Sequence, residues 1–471
     1  MTPTDTTPTD TTPTDAAGPG TTRTLLSGWG RTAATGAVVQ NASDVEQVAR
    51  AVTGKARSVL ARGLGRCYGD AAQSAGGLVI STSGLDRLEL DPRTGVLVAG
   101  AGVSIDEILR VTVPQGWFVP VTPGTRFVTV GGAVAADVHG KNHHVDGTFG
   151  RHVRWLELVD GTGTLRRLSP DGDDPDAFWA TVGGLGLTGV IMRAAVQLRP
   201  VESSWISVDT VRAPDLDTLM SLLLEHDRRF RYTVAWVDVL ATGRHAGRGV
   251  VTSGDHAAAG RVTDQGRVED PLQYRPVARL TAPPVPLSAV NPLTARAFNE
   301  VWFRKAPGYR EGELQRLQTF FHPLDGVRGW NRLYGPAGFL QYQFVVPDRR
   351  VDLVGQALHQ LRTASGSAFL GVLKRFGTAD PGPLSFPQPG WTLAVDLPAG
   401  AAAGHRLSAT LDRLDEEVTA AGGAVYLVKD ARCRPDLVAQ MYPRLPEWRA
   451  TRDRLDPNRR FVSDLSRRLS L

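Results

Sequence analysis

PGTRFVTVGGAVAADVHGKNHH, residues 123 to 144, carries the reading of the fold. Residues 131 to 136 are glycine and alanine with a single valine, so the backbone can come close to a flat ligand. Thr125 and Thr129 add hydroxyl donors, and VTVGGAVAADV (128–138) predicts the start of a tightly packed helix. The stretch ends in HGKNHH, three of the ten histidines within six positions. His139 and His143 are four apart, the spacing of metal ligands on one helix face. Gly140 and Asn142 oppose a regular helix there, no glutamate stands between the histidines, and Asp137 and Asp146 are the only nearby carboxylates. The pattern argues against a metal and leaves a pocket-lining or a structural role.

Two further glycine loops flank this stretch. Gly63-Leu64-Gly65-Arg66-Cys67-Tyr68-Gly69-Asp70 follows the predicted strand Ser58–Arg62 and reads either as a phosphate-facing turn or as a plain tight turn. Gly184-Leu-Gly186-Leu-Thr-Gly189 matches GxGxxG formally. A strand pattern, VIMRAAVQL, follows it instead of a helix, and no acidic residue stands ~20 positions on to hold a ribose, so a dinucleotide fold is rejected.

The chain has 471 residues, long enough for two or three domains or one large interrupted one. It opens with a Thr/Pro/Asp repeat, residues 1–20, expected to be disordered because it has no apolar surface to bury. The sequence predicts neither a signal peptide nor a membrane span, since no run approaches ~18 apolar residues. Two cysteines, Cys67 and Cys433, exclude a disulfide framework and a cysteine metal site. A net charge of +5, spread along the chain, fits an anionic substrate or a membrane surface better than nucleic acid. Only five of 53 basic residues are lysine: Lys55, Lys141, Lys305, Lys374 and Lys429. In such a chain a lysine marks either chance or a site that uses a compact, deprotonatable charge.

Short strands and helices alternate from about residue 36. Ser43–Glu46 and Ser104–Glu107 read as capping boxes, Leu88–Gly100 and Trp155–Leu168 as hairpins, and Thr188–Leu198 as a strand. After Pro200 the pattern changes. Strands are expected at Trp205–Val211, Tyr232–Leu240, Gly338–Val346, Phe369–Phe376, Trp391–Leu397 and Ala424–Val428, and helices at Leu216–His226, Val351–Thr363 and His405–Ala421. Residues 270 to 295 read as a Pro-rich irregular region, and the last 35 residues as short Arg-rich helices. This mixture predicts an α+β fold with an antiparallel sheet in its second half.

The segments ARGLGRCYGD (61–70), PGTRFVTVGGAVAADVHGKNHH (123–144) and GGLGLTGVIMRAAVQLRP (183–200), in this order and spacing, resemble the vanillyl-alcohol-oxidase/PCMH-type FAD-binding family. FHPLDGVRGWNRLYGPAGFLQYQFVVP (321–347), LKRFG (373–377), LSFPQPGWTLAVDLP (384–398), YLVKD (426–430) and DPNRRFVSDLSRRL (456–469) resemble one branch of it. That branch oxidises the ribose C2′ hydroxyl of decaprenylphosphoryl-β-D-ribose in actinobacterial cell-wall arabinan synthesis. The resemblance implies a split FAD-binding domain, 21–203 and 424–471, around a substrate domain, 204–423, built on an antiparallel sheet. It implies FAD as cofactor, a partner keto-reductase that completes epimerisation to the arabinose, and peripheral contact with the cell-envelope membrane on a face left open.

Carried over residue by residue, Arg62, Gly63, Leu64, Gly65, Arg66, Cys67, Tyr68 and Gly69 would hold the pyrophosphate and adenosine side of FAD. Gly124, Thr125, Thr129, Gly131, Gly132, His139, Gly140, Lys141 and Asn142 would line the flavin, with Ile191 at the adenine end and Tyr426 also in contact. Trp236, Gln341, Gln343, Lys374 and Lys429 would bind substrate, with Lys429, Tyr68 and His139 the catalytic candidates. Lys429 would act either as a base or as a stabiliser of negative charge.

Three departures from the family pattern stand out. Arg66 replaces the histidine that many wider-family members attach to FAD, which implies non-covalent FAD. Ala394 replaces a cysteine of mycobacterial relatives. Phe321 replaces a tyrosine and puts one pocket hydroxyl in doubt. The competing readings are an aldonolactone or sugar-alcohol oxidase of the same fold, and a non-flavin metal- or ligand-binding protein built around HGKNHH.

Overall fold

A computed structural model describes residues 20–266, 269–276, 280–368, 370–400 and 404–471; residues 1–19 of the Thr/Pro/Asp tail lie outside them. Three sheets organise the chain. β1 (Thr21–Ser27), β2 (Ala34–Asn41), β3 (Val59–Arg62) and β4 (Leu78–Ser81) form a four-stranded sheet in the order β1-β2-β4-β3, with β2 and β3 parallel to β4. β5 (Leu88–Asp91), β6 (Val96–Gly100), β7 (Val153–Val159), β8 (Leu165–Leu168) and β9 (Val190–Gln197) form an antiparallel sheet in the order β5-β6-β9-β7-β8.

The third sheet has eight strands: β10 (Trp205–Ala213), β11 (Tyr232–Val237), β12 (Gly249–His256), β13 (Tyr309–Arg316), β14 (Phe339–Val346), β15 (Gly371–Phe376), β16 (Gly390–Pro398) and β17 (Ala424–Val425). Its order is β13-β10-β12-β11-β15-β16-β14-β17, and every pairing is antiparallel. The α+β class and the antiparallel second-half sheet are therefore as the sequence predicts. Strand alternation divides this sheet into two chemically different faces. Tyr342, Phe344, Leu373, Leu393, Val395 and Leu397 join Leu223, Leu353, Leu361, Leu407 and Leu411 of the helices Leu216–Asp227, Asp352–Ser365 and Gly404–Ala420 in one core. Gln341, Gln343, Val372, Lys374, Thr392 and Ala394 occupy the alternate positions and line a cavity.

The C-terminal helices Pro435–Met441, Leu445–Leu455 and Asp464–Leu469 return to the first part of the chain. Their arginines are fasteners. Arg468 pairs with Asp70 and Asp430, both at 2.8 Å, and Arg460 donates to the carbonyls of Val52 and Ala56, both at 2.8 Å. Trp448, fully buried, donates to Ala180 O at 3.0 Å. Removing such a side chain costs about 3–5 kcal/mol.

The structure corrects several local expectations. The first helix is capped by Asp44, whose carboxylate accepts from Gln47 N at 2.8 Å, so the N-cap stands one residue on from Ser43. The Ser104–Glu107 box forms as read. A helix, Pro292–Lys305, starts inside the region read as irregular, and β12 and β13 went unread. The strand expected at Ala424–Val428 stops at Val425, because Lys429 N turns back to Tyr426 O at 2.9 Å.

Candidate active site

The first glycine loop leaves β3 and folds over its own arginine. Arg62 donates to Ala72 O at 2.6 Å and Ser27 O at 2.8 Å, and Gly65, at φ +63°, lies where a Cβ would strike that guanidinium. Glycine is required there for both its dihedral and its lack of bulk. The loop is bound from both sides: Trp29 N donates to Cys67 O at 2.7 Å, and Tyr68 N to Val428 O at 3.1 Å. The Arg66 guanidinium lies over the Trp29 ring, 4.0 Å from its centroid.

Opposite runs the 123–144 stretch. Thr129 caps the short helix Val130–Ala135, accepting from Gly132 N at 3.2 Å. Gly131 packs so closely on Ala101 that an added Cβ would come within 2.9 Å of the alanine methyl. Thr125 donates to Asp325 Oδ1 at 2.7 Å. Nothing lies within 4 Å of a Cβ built on Gly124 or Gly186, so their backbones face open space. Leu185, Gly186 and Gly189 also line the cavity, so the GLGLTG loop, rejected as a dinucleotide motif, is nevertheless a wall of this pocket. It leads into strand β9, as its pattern predicts.

HGKNHH splits by role. His139 is enclosed by Phe376, Tyr426 and Phe386, with ring centroids at 4.8, 5.5 and 6.0 Å. Its Nδ1 is 3.1 Å from Lys374 Nζ, and its Nε2 is 3.1 Å from the Gln343 amide. An ammonium has only protons to give. The Gln343 amide nitrogen has only protons to give as well, so Nε2 accepts, the ring proton sits on Nδ1, and Lys374 receives it as the neutral amine. Burial, then Lys374, holds His139 well below the usual imidazole range. His143 accepts from Gly377 N at 3.2 Å and donates through Nε2 to Asp380 at 2.8 Å; His144 Nε2 lies 3.0 Å from Phe230 O. The adjacent histidine pair therefore ties this stretch to the second half of the chain.

The turn after β17 delivers Lys429. Val428 and Lys429, adjacent in sequence, both line the cavity, which a continuing strand would forbid. Lys429 Nζ sits 3.8 Å from the Tyr68 ring centroid. Burial lowers Lys429 to about 8, with Asp396 and Cys67 opposing, and lowers Lys374 to about 7, reinforced by Lys429. Asp396 was not singled out in the sequence. It is a carboxylate in the apolar strand GWTLAVDLP, fully buried opposite Gln341, which donates to Oδ1 at 2.5 Å. Its Oδ2 has no hydrogen-bond partner among the described residues. Burial pushes its carboxyl up to about 7, opposed by Gln341 and Lys429.

The cavity, about 310 Å3, gathers most of the expected residues: Arg62 to Tyr68, Gly124, Thr125, Thr129, Gly131, Gly132, His139, Ile191, Gln341, Gln343, Lys374, Tyr426 and Lys429. Gly69, Gly140, Lys141, Asn142 and Trp236 are not among its lining residues. Gly69 backs onto Asp430 O. Lys141 donates to Phe320 O and lies over the Phe320 ring at 4.2 Å. Asn142 donates to Pro120 O at 2.8 Å and Asp146 at 2.6 Å. Trp236 stands on β11 opposite Val372, one strand from the wall. Phe321 is also outside the cavity, buried against Phe118 and Tyr232. The charged lining residues are Arg62, Arg66, Lys374 and Lys429, with no carboxylate among them.

Residues 35–169 match the FAD binding domain family. The chain is 42% identical over 460 residues to the decaprenylphosphoryl-β-D-ribose oxidase of Mycolicibacterium smegmatis, covering 96% of this chain and 98% of that one. It is 42% identical over 379 residues to an uncharacterized protein of Streptomyces coelicolor, covering 78% of this chain and all of that one. Cytokinin dehydrogenase 5 of Oryza sativa subsp. japonica is 32% identical over 219 residues, 42% of this chain and 40% of its own. The site fits FAD: glycine and alanine backbone forms one long wall, cations and no carboxylates line the cavity, and Gly124 and Gly186 open onto it.

Proposed function

The chain belongs to the decaprenylphosphoryl-β-D-ribose oxidase family of FAD-binding oxidoreductases, and from that premise we propose that it oxidises the ribose C2′ hydroxyl of a polyprenylphosphoryl ribose to the ketone. The observation that carries this reading is the composition of the sheet wall. Gln341, Gln343, Lys374 and Thr392 alternate with core residues on three neighbouring strands, so hydrogen-bonding groups for a sugar and a cation for a phosphate share one face.

Bound FAD supplies the two-electron oxidant. The loop Arg62–Tyr68 and the Gly124–Gly132 wall hold it, without covalent attachment because Arg66 occupies the first-loop position. Lys374, with His139 and Gln343 behind it, anchors the phosphate end of the substrate. An arriving phosphate restores the ammonium charge that burial suppresses. Lys429, lowered to about 8, is mostly charged at neutral pH and stabilises negative charge on the sugar oxygen while the hydroxyl proton leaves to water in the open cavity. Tyr68, under the Lys429 ammonium, fixes its position. Asp396, buried close by, opposes the effect of burial on Lys429.

The product is a reactive 2′-keto sugar, so a partner keto-reductase completes the epimerisation, and a lipid-linked substrate calls for peripheral contact with a membrane. Among the described residues no helix is long and apolar enough to cross one. The test is turnover of farnesylphosphoryl-ribose by the purified flavoprotein. A product two hydrogens lighter, with no turnover of aldonolactones or sugar alcohols, supports the reading; the converse preference refutes it.

A further inference from the structure

The helix Pro292–Lys305 is turned inside out. Its buried residues are Ala295 and Asn299, followed at the same spacing by the half-buried Phe303. What holds it is polar: Asn299 donates to Asp238 Oδ1 at 2.7 Å, and Glu300 accepts from Arg248 at 2.5 Å. On the other side Leu293, Ala297 and Val301 repeat every four residues and point to solvent, Leu293 78% and Val301 66% exposed. Phe298 and Trp302 stand beside them with stacked rings, centroids 5.8 Å apart. Leu287, on the approach to the helix, is 79% exposed. Scattered exposed apolar residues need no explanation, but a continuous apolar helix face marks a binding surface.

We propose that this helix, with Leu287, is where the protein rests on an anionic lipid surface. Charge chooses the occupant. Arg296, Arg304 and Lys305 are exposed on the helix, and its one acidic residue, Glu300, is already paired with Arg248 and Arg304. An apolar face with a basic margin is the pattern of helices that lie in an anionic membrane interface. A second copy of the chain would bring the same cationic margin, with Arg296 and Lys305 beyond the reach of Glu300's two pairs, against it.

Position supports the same occupant. The helix entry is stitched to the turn that forms one side of the cavity: Thr294 donates to Ala289 O at 2.7 Å, and Ala289 N to Leu333 O at 2.8 Å. Val290 packs against the cluster of Trp330, Tyr334 and Phe339, of which Trp330 lines the cavity. A substrate with its prenyl chain in the bilayer would thus enter beside the surface that meets the lipid. This deepens the polyprenylphosphoryl-ribose reading and rests on it for the purpose of the contact, but the contact itself is testable without turnover.

The experiment is flotation of the full-length flavoprotein with phosphatidylcholine vesicles, with and without phosphatidylglycerol, for wild type, Leu293→Ser/Val301→Ser and Val301→Glu. All these positions are exposed, so flavin content and melting temperature should match wild type. The expected result is binding that requires phosphatidylglycerol, weakens with salt, and falls at least tenfold (about 1.4 kcal/mol) in both variants. A wild type that does not float, or variants that float equally well, overturns the proposal. So does a concentration-dependent dimer that the variants abolish. A protein that floats as expected but oxidises no prenyl-phosphate sugar leaves the lipid contact standing and overturns the substrate reading instead.

Discussion

Replacing Lys374 by methionine should make the substrate-free flavoprotein more stable at neutral and acidic pH while removing its grip on the phosphate. Burial lowers this lysine from 10.5 to about 7. The unfolded chain therefore binds a proton that the native state resists between those two values, and stability rises with pH across that window. The cost of the charge is complete below about pH 7 and fades as pH approaches 10.5. In a dry site that difference corresponds to about 5 kcal/mol. Lys374 lines an open cavity and bonds to His139, so water screening and the lost contact reduce the expected gain to about 1–2 kcal/mol. For a chain this long that is roughly 1–2 °C in Tm. The assay is thermal unfolding of wild type and Lys374→Met holoproteins at pH 6 and pH 9.5, with KM for the phosphoryl sugar measured in parallel. The variant should melt higher at pH 6, lose most of that advantage at pH 9.5, and show a raised KM. A variant that melts lower at both pH values by the same amount would refute the claim that Lys374 is a desolvated cation waiting for an anion.

Lys429→Ala should keep its flavin and lose turnover by about 10^2–10^4-fold, the range for removing a charge-stabilising or proton-accepting group; near-full activity would remove Lys429 from the mechanism. Acid precipitation should leave all flavin in the supernatant, and flavin pelleting with the protein would contradict the non-covalent reading of Arg66. Asp396→Asn should lower the Lys429 pKa further and so move the alkaline limb of the kcat profile to lower pH, because the carboxylate opposes the effect of burial on Lys429; an unmoved limb with merely reduced stability would make Asp396 structural.

Patterns with a short period were legible in the sequence. Gln341 and Gln343 fall two apart on one strand face, and the small residues at 131–136 and the Ser104–Glu107 box act locally. What escaped depended on tertiary context. Lys141 belongs to the conspicuous HGKNHH run, yet its side chain turns to Phe320 O, a partner 179 positions away. Lys429 reaches the cavity only because β17 stops at Val425, and nothing in YLVKD announces that turn. Asp396 was visible as a carboxylate in an apolar strand, but its pairing with Gln341 depends on the register of two strands about 55 positions apart. The helix Pro292–Lys305 hid because the apolar side that periodicity assigns to a core faces outward, behind a proline-rich approach.

Anaerobic mixing of the flavoprotein with farnesyl- or decaprenylphosphoryl-ribose, followed by flavin absorbance, reads out directly whether the prenylphosphoryl ribose reduces the bound flavin. Bleaching in a single turnover is expected, lost in Lys429→Ala and weakened at a given substrate concentration in Lys374→Met. A flavin that stays oxidised with these substrates and bleaches with an aldonolactone or a free sugar alcohol would contradict it.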